Sequence, residues 1–152
     1  MGDCCDNEKK NRANDNIIKK RNKSLTCPEC HAKQKSVGYK TVLFHIRSPL
    51  NQTLPDSNYY FCANADCKTV YFSETGITFD KKKVRGHIGQ KRLDDERTLC
   101  YCFGITLKQV KEEIKTQGFS RSKEWVKEQT KSHLCACDCR NPSGKCCLND
   151  FP

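Results

Sequence analysis

The sequence predicts an α+β fold, in which a small β-rich unit is followed by a helical hairpin and preceded by a basic tail. Three observations support this prediction. The first half of the chain contains short runs of β-branched and aromatic residues, the second half contains apolar residues at helical spacing, and 13 cysteines are clustered along 152 residues. Because only 36% of the residues are hydrophobic, we expect bound metal ions to replace part of the core.

The cysteine content indicates a metal scaffold rather than a disulfide scaffold. The first residues, Met1–Asp6, lack the apolar stretch of a signal peptide, and no later run approaches the ~20 apolar residues of a membrane helix. We therefore expect a cytoplasmic protein without membrane insertion, in which thiols stay reduced and available as ligands. An odd number of cysteines also argues against a fully paired disulfide framework.

Residues 1–24 are predicted to form a disordered tail, because they are polar, rich in lysine and asparagine, and aperiodic. The net charge of +10 is compatible with nucleic-acid binding. Much of this charge lies in two runs, Lys9–Lys23 and Lys81–Lys83, and such runs are usually solvated. Nucleic acid is therefore not the expected primary ligand.

Residues 25–97 are predicted to form the β-rich, zinc-binding unit. Their apolar runs are short and are separated by proline, asparagine and a turn sequence. We predict strands in four runs: Val37–Ile46, Tyr59–Cys62, Val70–Phe72 and Ile77–Phe79. Between the last two, Ser73–Gly76 is predicted to be a hairpin connection in which Gly76 adopts a positive φ.

Residues 98–152 are predicted to form the helical hairpin. The apolar residues of the first helix recur at helical spacing: Leu107, Val110 and Ile114. Thr106 and Gln109 match a capping box at its start, and Gly118 is the expected residue after its last turn. A second helix is predicted to start at Ser120 or Ser122 and to end near Leu134. Its predicted buried anchors are Trp125 and Val126.

The first cysteine group has the spacing of a structural zinc site. Cys27 and Cys30 form a C-x₂-C pair, and Cys62 and Cys67 form a C-x₄-C pair beyond a β segment. Structural Zn²⁺ takes four tetrahedral ligands, and two such pairs would leave no position for water or substrate. His31 is the alternative ligand to one cysteine, and incidental buried thiols or a redox dithiol pair are the alternative interpretation.

The second cysteine group lies where the two ends of the predicted hairpin meet. Its members are Cys100, Cys102, Cys135, Cys137, Cys139, Cys146 and Cys147. Four thiolates are enough for an iron–sulfur cluster, and the flanking segments at Gly104 and Asn141–Gly144 permit close approach of backbone N–H groups. The alternative is a second zinc site in a zinc-ribbon nucleic-acid-binding protein.

From about Leu25 to Asp150 the sequence resembles the N-terminal domain of CopZ-type copper chaperones and related iron–sulfur cluster-binding metallochaperones. The matching motifs occur in the same order: Cys27–Cys30, Tyr60–Cys62 with Cys67, Val70–Phe72, Cys100–Gly104 and Asn141–Cys147. The helical half is also similar to the cluster-binding domain of bacterioferritin-associated ferredoxin, although the second cysteine pair is spaced differently.

The resemblance implies two metal sites with four cysteines each. The implied zinc ligands are Cys27, Cys30, Cys62 and Cys67. The implied [2Fe–2S] ligands are Cys100, Cys102, Cys137 and Cys147. Alignment on the Asn-Pro-Ser-Gly segment favours Cys137 as the third ligand, and Cys146 remains the alternative to Cys147. Cys135, Cys139 and Cys146 are then not needed as cluster ligands. We expect them to be packing residues, alternative ligands or a transient metal site.

The resemblance also implies a role in copper or other soft-metal trafficking, with one-electron transfer that includes reduction of Cu(II) to Cu(I). The implied partner is a metal-transfer or redox protein, such as a copper-transporting ATPase or a separate copper-binding domain. Full copper chaperones of this kind carry a second, ferredoxin-like domain with a C-x-x-C motif. The sequence reaches Pro152 without that motif, so we expect this delivery module to be missing.

Two further sets of residues bear on function. Cys4 and Cys5 are expected to bind Cu(I) transiently or to be two surface thiols of the tail. We find no nucleophile–base pair, paired carboxylates or phosphate-binding loop, and His87 and His133 are isolated. An enzyme is therefore not expected, apart from metal reduction by the cluster.

Overall fold

An antiparallel sheet organises the first half of the chain in the computed structural model, which describes residues 22–152. Within this range five strands pair in sequence order: β1 (Ser24–Thr26), β2 (Lys33–Val37), β3 (Tyr59–Phe61), β4 (Thr69–Ser73) and β5 (Thr78–Asp80). Tyr60 at the centre of β3 faces Ser36 of β2 and Phe72 of β4. The α+β class is thus confirmed.

Three of the four predicted strands are confirmed with shifted ends, as β3, β4 and β5. The predicted hairpin between β4 and β5 is also confirmed. Gly76 has φ +88°, and the backbone N–H of Ser73 donates to the carbonyl of Ile77 at 2.9 Å. Glycine suits this turn because a side chain there would be strained.

The predicted strand over Val37–Ile46 is wrong beyond its first residue. β2 ends at Val37, and helix α1 occupies Tyr39–His45. Val42 and Ile46 are fully buried, whereas Leu43 and Phe44 between them are 37% and 46% exposed. Burial four residues apart is the helical spacing, and it outweighs the strand preference of the β-branched and aromatic residues.

The sheet is buried on both faces, which explains why every residue of β4 is inaccessible. One face packs against α1 through aliphatic and aromatic side chains: Val37, Val42, Ile46, Tyr59, Tyr71 and Phe79. On the other face, Tyr60 and Phe72 stack at 5.4 Å between ring centroids, next to three buried cysteines. The cysteines thus extend a small aromatic core.

The second half begins with a short pair of strands and continues as a helical hairpin. Its elements are β6 (Thr98–Cys100), β7 (Ile105–Thr106), α2 (Leu107–Gln117), α3 (Arg121–Lys131) and α4 (Cys137–Arg140). The predicted caps of the first helix are confirmed. Thr106 accepts a hydrogen bond from the backbone N–H of Gln109 at 3.3 Å, and Gly118 has φ +80°.

The second helix of the hairpin starts after its N-cap Ser120, as predicted, but ends at Lys131 rather than near Leu134. Val126 is fully buried, which confirms one predicted anchor. The other prediction is wrong: Trp125 is 46% exposed, with its ring edge to face against Phe103 at 4.7 Å between centroids. Adjacent helix positions lie about 100° apart, so only one of the two faces the core directly.

The loop after α3 packs on the sheet half. Tyr71 of β4 donates to the Pro142 carbonyl at 2.5 Å, and His45 of α1 donates from Nε2 to the Cys139 carbonyl at 3.0 Å. Thr41 donates to the Asp138 carbonyl. The predicted division between residues 97 and 98 is therefore crossed by buried polar contacts.

Two further predictions concern the chain as a whole. Residues 1–21 of the predicted tail lie outside the described residues. Its last residue, Ser24, already belongs to β1, and the carbonyl of Asn22 accepts a hydrogen bond from Tyr60 at 3.1 Å. None of the helices in residues 22–152 has the length and apolar character needed to cross a membrane.

Candidate metal centres

The first centre lies at the end of the sheet where β1 leads into β2 and β3 leads into β4. The sulfur atoms of Cys27, Cys30, Cys62 and Cys67 all lie within 4.8 Å of one another. The Sγ–Sγ distance is 3.9 Å for Cys27 and Cys67, and 3.7 Å for Cys30 and Cys62. A tetrahedral Zn²⁺ with Zn–S bonds of about 2.3 Å places its sulfurs about 3.8 Å apart. The four thiols therefore fit zinc.

Backbone turns position these thiols. In the first turn, the N–H of Cys27 donates to Ala32 and the N–H of His31 donates to Cys27, both at 2.9 Å. His31 adopts φ +59° at an exposed position, and its ring is not part of the four-sulfur group. The arrangement therefore favours cysteine over His31 as the fourth ligand.

The environment of the first centre differs from one thiol to another. Burial raises the pKa of Cys62 to about 12, although the Asn64 backbone N–H and the charge of Lys91 act in the opposite direction. Burial also acts on Cys30, but hydrogen bonds from the Ala32 backbone and the Asn64 side chain outweigh it and lower its pKa to about 7. Cys30 is thus the thiol that ionises more readily of the two.

Two residues that sequence reasoning missed support this centre. Buried Gln34 donates from Nε2 to the Cys62 sulfur at 3.6 Å and accepts from the Ala63 N–H at 3.1 Å. Buried Lys91 donates from Nζ to the carbonyls of Asn64 and Cys67 at 2.7 and 3.2 Å. Gln34 alternates with exposed neighbours on β2, which is a weak signal of burial, but Lys91 lies in a charged run without any signal.

The four thiols predicted as cluster ligands are the second candidate centre. They come from the end of β6, the following turn, the start of α4 and the 3₁₀ turn at Cys147–Asp150: Cys100, Cys102, Cys137 and Cys147. The Cys102 and Cys137 sulfurs are 3.7 Å apart, and Cys147 belongs to the same buried group as Cys100 and Cys137. The backbone N–H of Ala136 donates to the Cys102 sulfur at 3.1 Å.

Hydrogen bonds among these thiols give them different pKa values. Donation from Cys102 and Cys147 holds the pKa of Cys137 well below its usual range. Donation from Cys147 is also the main reason why the pKa of Cys100 is lowered to about 7. The donors themselves keep their protons, so the pKa values of Cys102 and Cys147 are raised. Ionisation is therefore favoured at Cys137 and Cys100 over Cys102 and Cys147.

The surplus cysteines occupy different positions. Cys147, not Cys146, contacts Cys100 and Cys137. Cys146 and Cys135 are half-buried, and Cys135 is hydrogen-bonded to Cys137. Cys139 is buried, and its carbonyl accepts from His45. Cys4 and Cys5 lie outside the described residues.

The Asn-Pro-Ser-Gly segment forms a rigid loop beside the second centre. Fully buried Asn141 accepts at Oδ1 from the Ser143 backbone and hydroxyl at 3.1 and 2.9 Å, and from Gln90 Nε2 at 2.9 Å. Three donors fix the orientation of this amide. Its Nδ2 is buried and has no hydrogen-bond partner among residues 22–152.

Comparison with known proteins agrees with the zinc site of the first centre. Residues 24–85 match a family model named for CopZ and described as a zinc binding domain. The chain is 30% identical over 123 residues to the copper chaperone CopZ of Archaeoglobus fulgidus. That match covers 81% of this chain and 58% of the relative, so the chain spans little more than half of the curated protein.

Comparison with solved structures points the same way. The X-ray structure of the Archaeoglobus fulgidus CopZ N-terminal domain superposes with a TM-score of 0.67 and 30% sequence identity. The likeness covers 84% of this chain and 99% of that domain, which includes both halves of the described fold. Together with the four-cysteine zinc geometry, these findings identify a metal-binding protein. The chain belongs to the family of the CopZ N-terminal domain.

Proposed function

We propose that this chain is a metal-handling domain with one structural zinc and one [2Fe–2S] cluster, acting in the trafficking of copper or another soft metal. The proposed zinc ligands are Cys27, Cys30, Cys62 and Cys67. The proposed cluster ligands are Cys100, Cys102, Cys137 and Cys147. The observation that carries the proposal is the arrangement of these thiols as two separate groups, one with tetrahedral spacing and one gathered beside the helical hairpin.

The zinc half has the properties of a structural site. Four buried or half-buried sulfurs fill a tetrahedron and leave no coordination position for a substrate. The knuckles lie at one end of a sheet that has five strands within the described residues, next to the stacked rings of Tyr60 and Phe72. Metal binding here stabilises the sheet, because the turns that carry the cysteines have little apolar packing of their own.

The donor set of the second centre suits an iron–sulfur cluster. Cys102 lies 3.7 Å from Cys137 between sulfurs, and Cys100 and Cys147 belong to the same buried group as Cys137, so the four thiols that a cluster needs lie close together. When bound, such a cluster supplies electrons one at a time. The protein contributes the buried amide of Asn141, the Ala136 N–H at the Cys102 sulfur, and a half-buried position for Cys102 that keeps one side near solvent.

The trafficking role rests on the relationship to a copper chaperone. We propose a cytoplasmic, non-enzymatic carrier that supports reduction of Cu(II) to Cu(I) and exchanges metal or electrons with a partner protein. A copper-transporting ATPase or a separate copper-binding domain would be such a partner. We further propose that residues 25–97 form the zinc-binding unit, and that residues 98–152 form the cluster-binding unit.

Visible absorption and electron paramagnetic resonance of anaerobically reconstituted protein test this proposal. We expect thiolate-to-iron absorption in the oxidised protein and a paramagnetic signal after one-electron reduction. Cys147→Ser should abolish both, whereas the matched control Cys146→Ser should retain them, because Cys147 but not Cys146 belongs to the buried group that contains Cys100 and Cys137. Absence of both signals when iron and sulfide are supplied would contradict the proposed cluster.

A further inference from the structure

Lys91 is buried next to the proposed zinc site. Its side chain is 7% exposed, although lysine is almost never buried without a partner of opposite charge. None of the ion pairs formed within residues 22–152 includes Lys91. The burial of this ammonium group therefore requires a source of negative charge other than a carboxylate in that part of the chain.

The neighbours of the ammonium group belong to the zinc knuckle. Nζ donates to the Asn64 carbonyl at 2.7 Å and to the Cys67 carbonyl at 3.2 Å, both in the C-x₄-C segment. These bonds connect Cys67, which carries one sulfur ligand, to Asn64 in the turn before it. Four thiolates around Zn²⁺ carry a net charge of about −2, and attraction to a nearby cation is strong when water is excluded.

The turn that contains Lys91 packs against residues of the second half of the chain. Lys91 ends a 3₁₀ turn, Gly89–Lys91, and its N–H donates to the Ile88 carbonyl at 2.9 Å. Gly89 donates to the Tyr101 hydroxyl, and a Cβ at position 89 would lie 2.3 Å from the Thr98 carbonyl oxygen. The turn is thus fixed against β6 and the cysteine-bearing segment that follows it.

We infer that Lys91 is a positioning residue of the zinc centre. It closes the C-x₄-C segment through two carbonyls and balances the charge of the zinc–thiolate group. This inference rests on the proposed zinc site. It predicts that zinc escapes faster when the ammonium group is removed, although Lys91 is not itself a ligand.

Zinc release to a chromophoric chelator tests this role in protein that carries both metals. Lys91→Met, which keeps the length of the side chain but removes the charge, should accelerate release by about tenfold or more, as is typical when a group behind a ligand is lost. Lys91→Arg should restore slow release because it keeps a cation with N–H donors. The control Lys82→Met, at an exposed position, should match the wild type. If folded, zinc-loaded Lys91→Met released its zinc at the same rate as the wild type, the inference would be overturned.

A measurement on the wild-type protein covers the case in which Lys91→Met does not fold. Acetylation of lysine amines, followed by mass spectrometry, should find Lys91 protected in zinc-loaded protein and modified after zinc removal, while Lys82 is modified in both. Equal modification of Lys91 in both forms would overturn the inference. Zinc content distinguishes failure of this inference from failure of the proposed zinc site. Wild-type protein that binds no zinc would refute the zinc site itself.

Discussion

The hydroxyl of Tyr71 donates a hydrogen bond to the carbonyl of Pro142 at 2.5 Å, and both residues are fully buried. Tyr71 lies in the middle of β4, the strand that follows the second zinc knuckle, while Pro142 lies in the loop that joins two of the proposed cluster thiols. The loop of the second centre is therefore built against the sheet of the first. Formation of the sheet and shaping of the cluster loop are expected to depend on each other.

Tyr71→Phe should lower the free energy of unfolding by about 1–3 kcal/mol, because it leaves a buried carbonyl without its donor. It should also lower the iron content per folded chain, since the loop loses its anchor. Tyr39→Phe is a matched control, as Tyr39 donates to the Leu54 carbonyl at 2.9 Å within the sheet half. Urea denaturation and iron analysis would measure both. Equal iron content in the two variants would contradict the proposed coupling.

His45 should make stability depend on pH. Burial lowers the pKa of His45 to about 4 from an ordinary 6.5, and Arg85 acts in the same direction. Below pH 6.5 the unfolded chain therefore takes up a proton that the folded chain does not. Stability should fall between pH 6.5 and 4, by up to about 3 kcal/mol, and should be unaffected by this group above that range.

Comparing the unfolding free energies of two variants separates the titration of His45 from protonation of the metal-binding thiolates. His45→Gln should flatten the decline in unfolding free energy between pH 6.5 and 4, whereas the control His87→Gln, at an exposed position, should leave it unchanged. Urea unfolding at several pH values provides the measurement. A His45→Gln profile parallel to the wild type would show that His45 does not titrate in this way.

Glu113 closes the helical hairpin. Its carboxylate accepts from the Ser120 hydroxyl, the Ser122 backbone and the Ser122 hydroxyl at 2.8, 3.0 and 2.6 Å. Burial acts to raise the pKa of Glu113, but these hydrogen bonds outweigh it, so its pKa is lowered. The stability that it contributes is therefore lost as the pH falls through that lowered value.

Glu113→Gln should lower the free energy of unfolding by about 1–2 kcal/mol at neutral pH, because a charged acceptor of three hydrogen bonds is replaced by a neutral one. Glu112→Gln is the control, since its side chain is exposed on the same helix. Thermal unfolding of both variants tests the role of this carboxylate. Indistinguishable midpoints would argue against it.

Asn141→Asp should preserve the hydrogen bonds to Ser143 and Gln90 but replace a buried amide donor with a negative charge beside the proposed cluster. We expect reduced cluster occupancy with zinc content unchanged, because a carboxylate repels anionic thiolates. Iron, sulfide and zinc analysis of the same sample measures both sites. Full cluster occupancy in this variant would mean that the Asn141 amide does not face an anionic group.

Local patterns in the sequence predicted the parts of the fold that local physics determines. The cap at Thr106, the turn at Gly118 and the hairpin at Gly76 depend on neighbouring residues, and all three are confirmed. The run from Val37 was misassigned because β-branched residues suggested a strand, while burial of Val42 and Ile46 against the sheet selects a helix. That packing depends on strands distant in sequence.

The same distinction holds for the metal centres. Cysteine spacing was enough to predict that Cys27, Cys30, Cys62 and Cys67 would meet, since each pair is local and strand pairing brings the pairs together. Gln34 and Lys91 were not predicted, because their role depends on contacts with residues 24 to 29 positions away. Trp125 was assigned to the core on hydrophobicity alone, which cannot decide between adjacent helix positions.

Quantitation of zinc, iron and acid-labile sulfide in anaerobically purified protein tests whether the chain holds both proposed metal groups. We expect one zinc, two irons and two labile sulfides per chain. Cys62→Ser should lose the zinc, and Cys137→Ser should lose the iron and sulfide. Two zincs per chain, with neither iron nor sulfide when both are supplied, would contradict the account and favour a two-zinc protein.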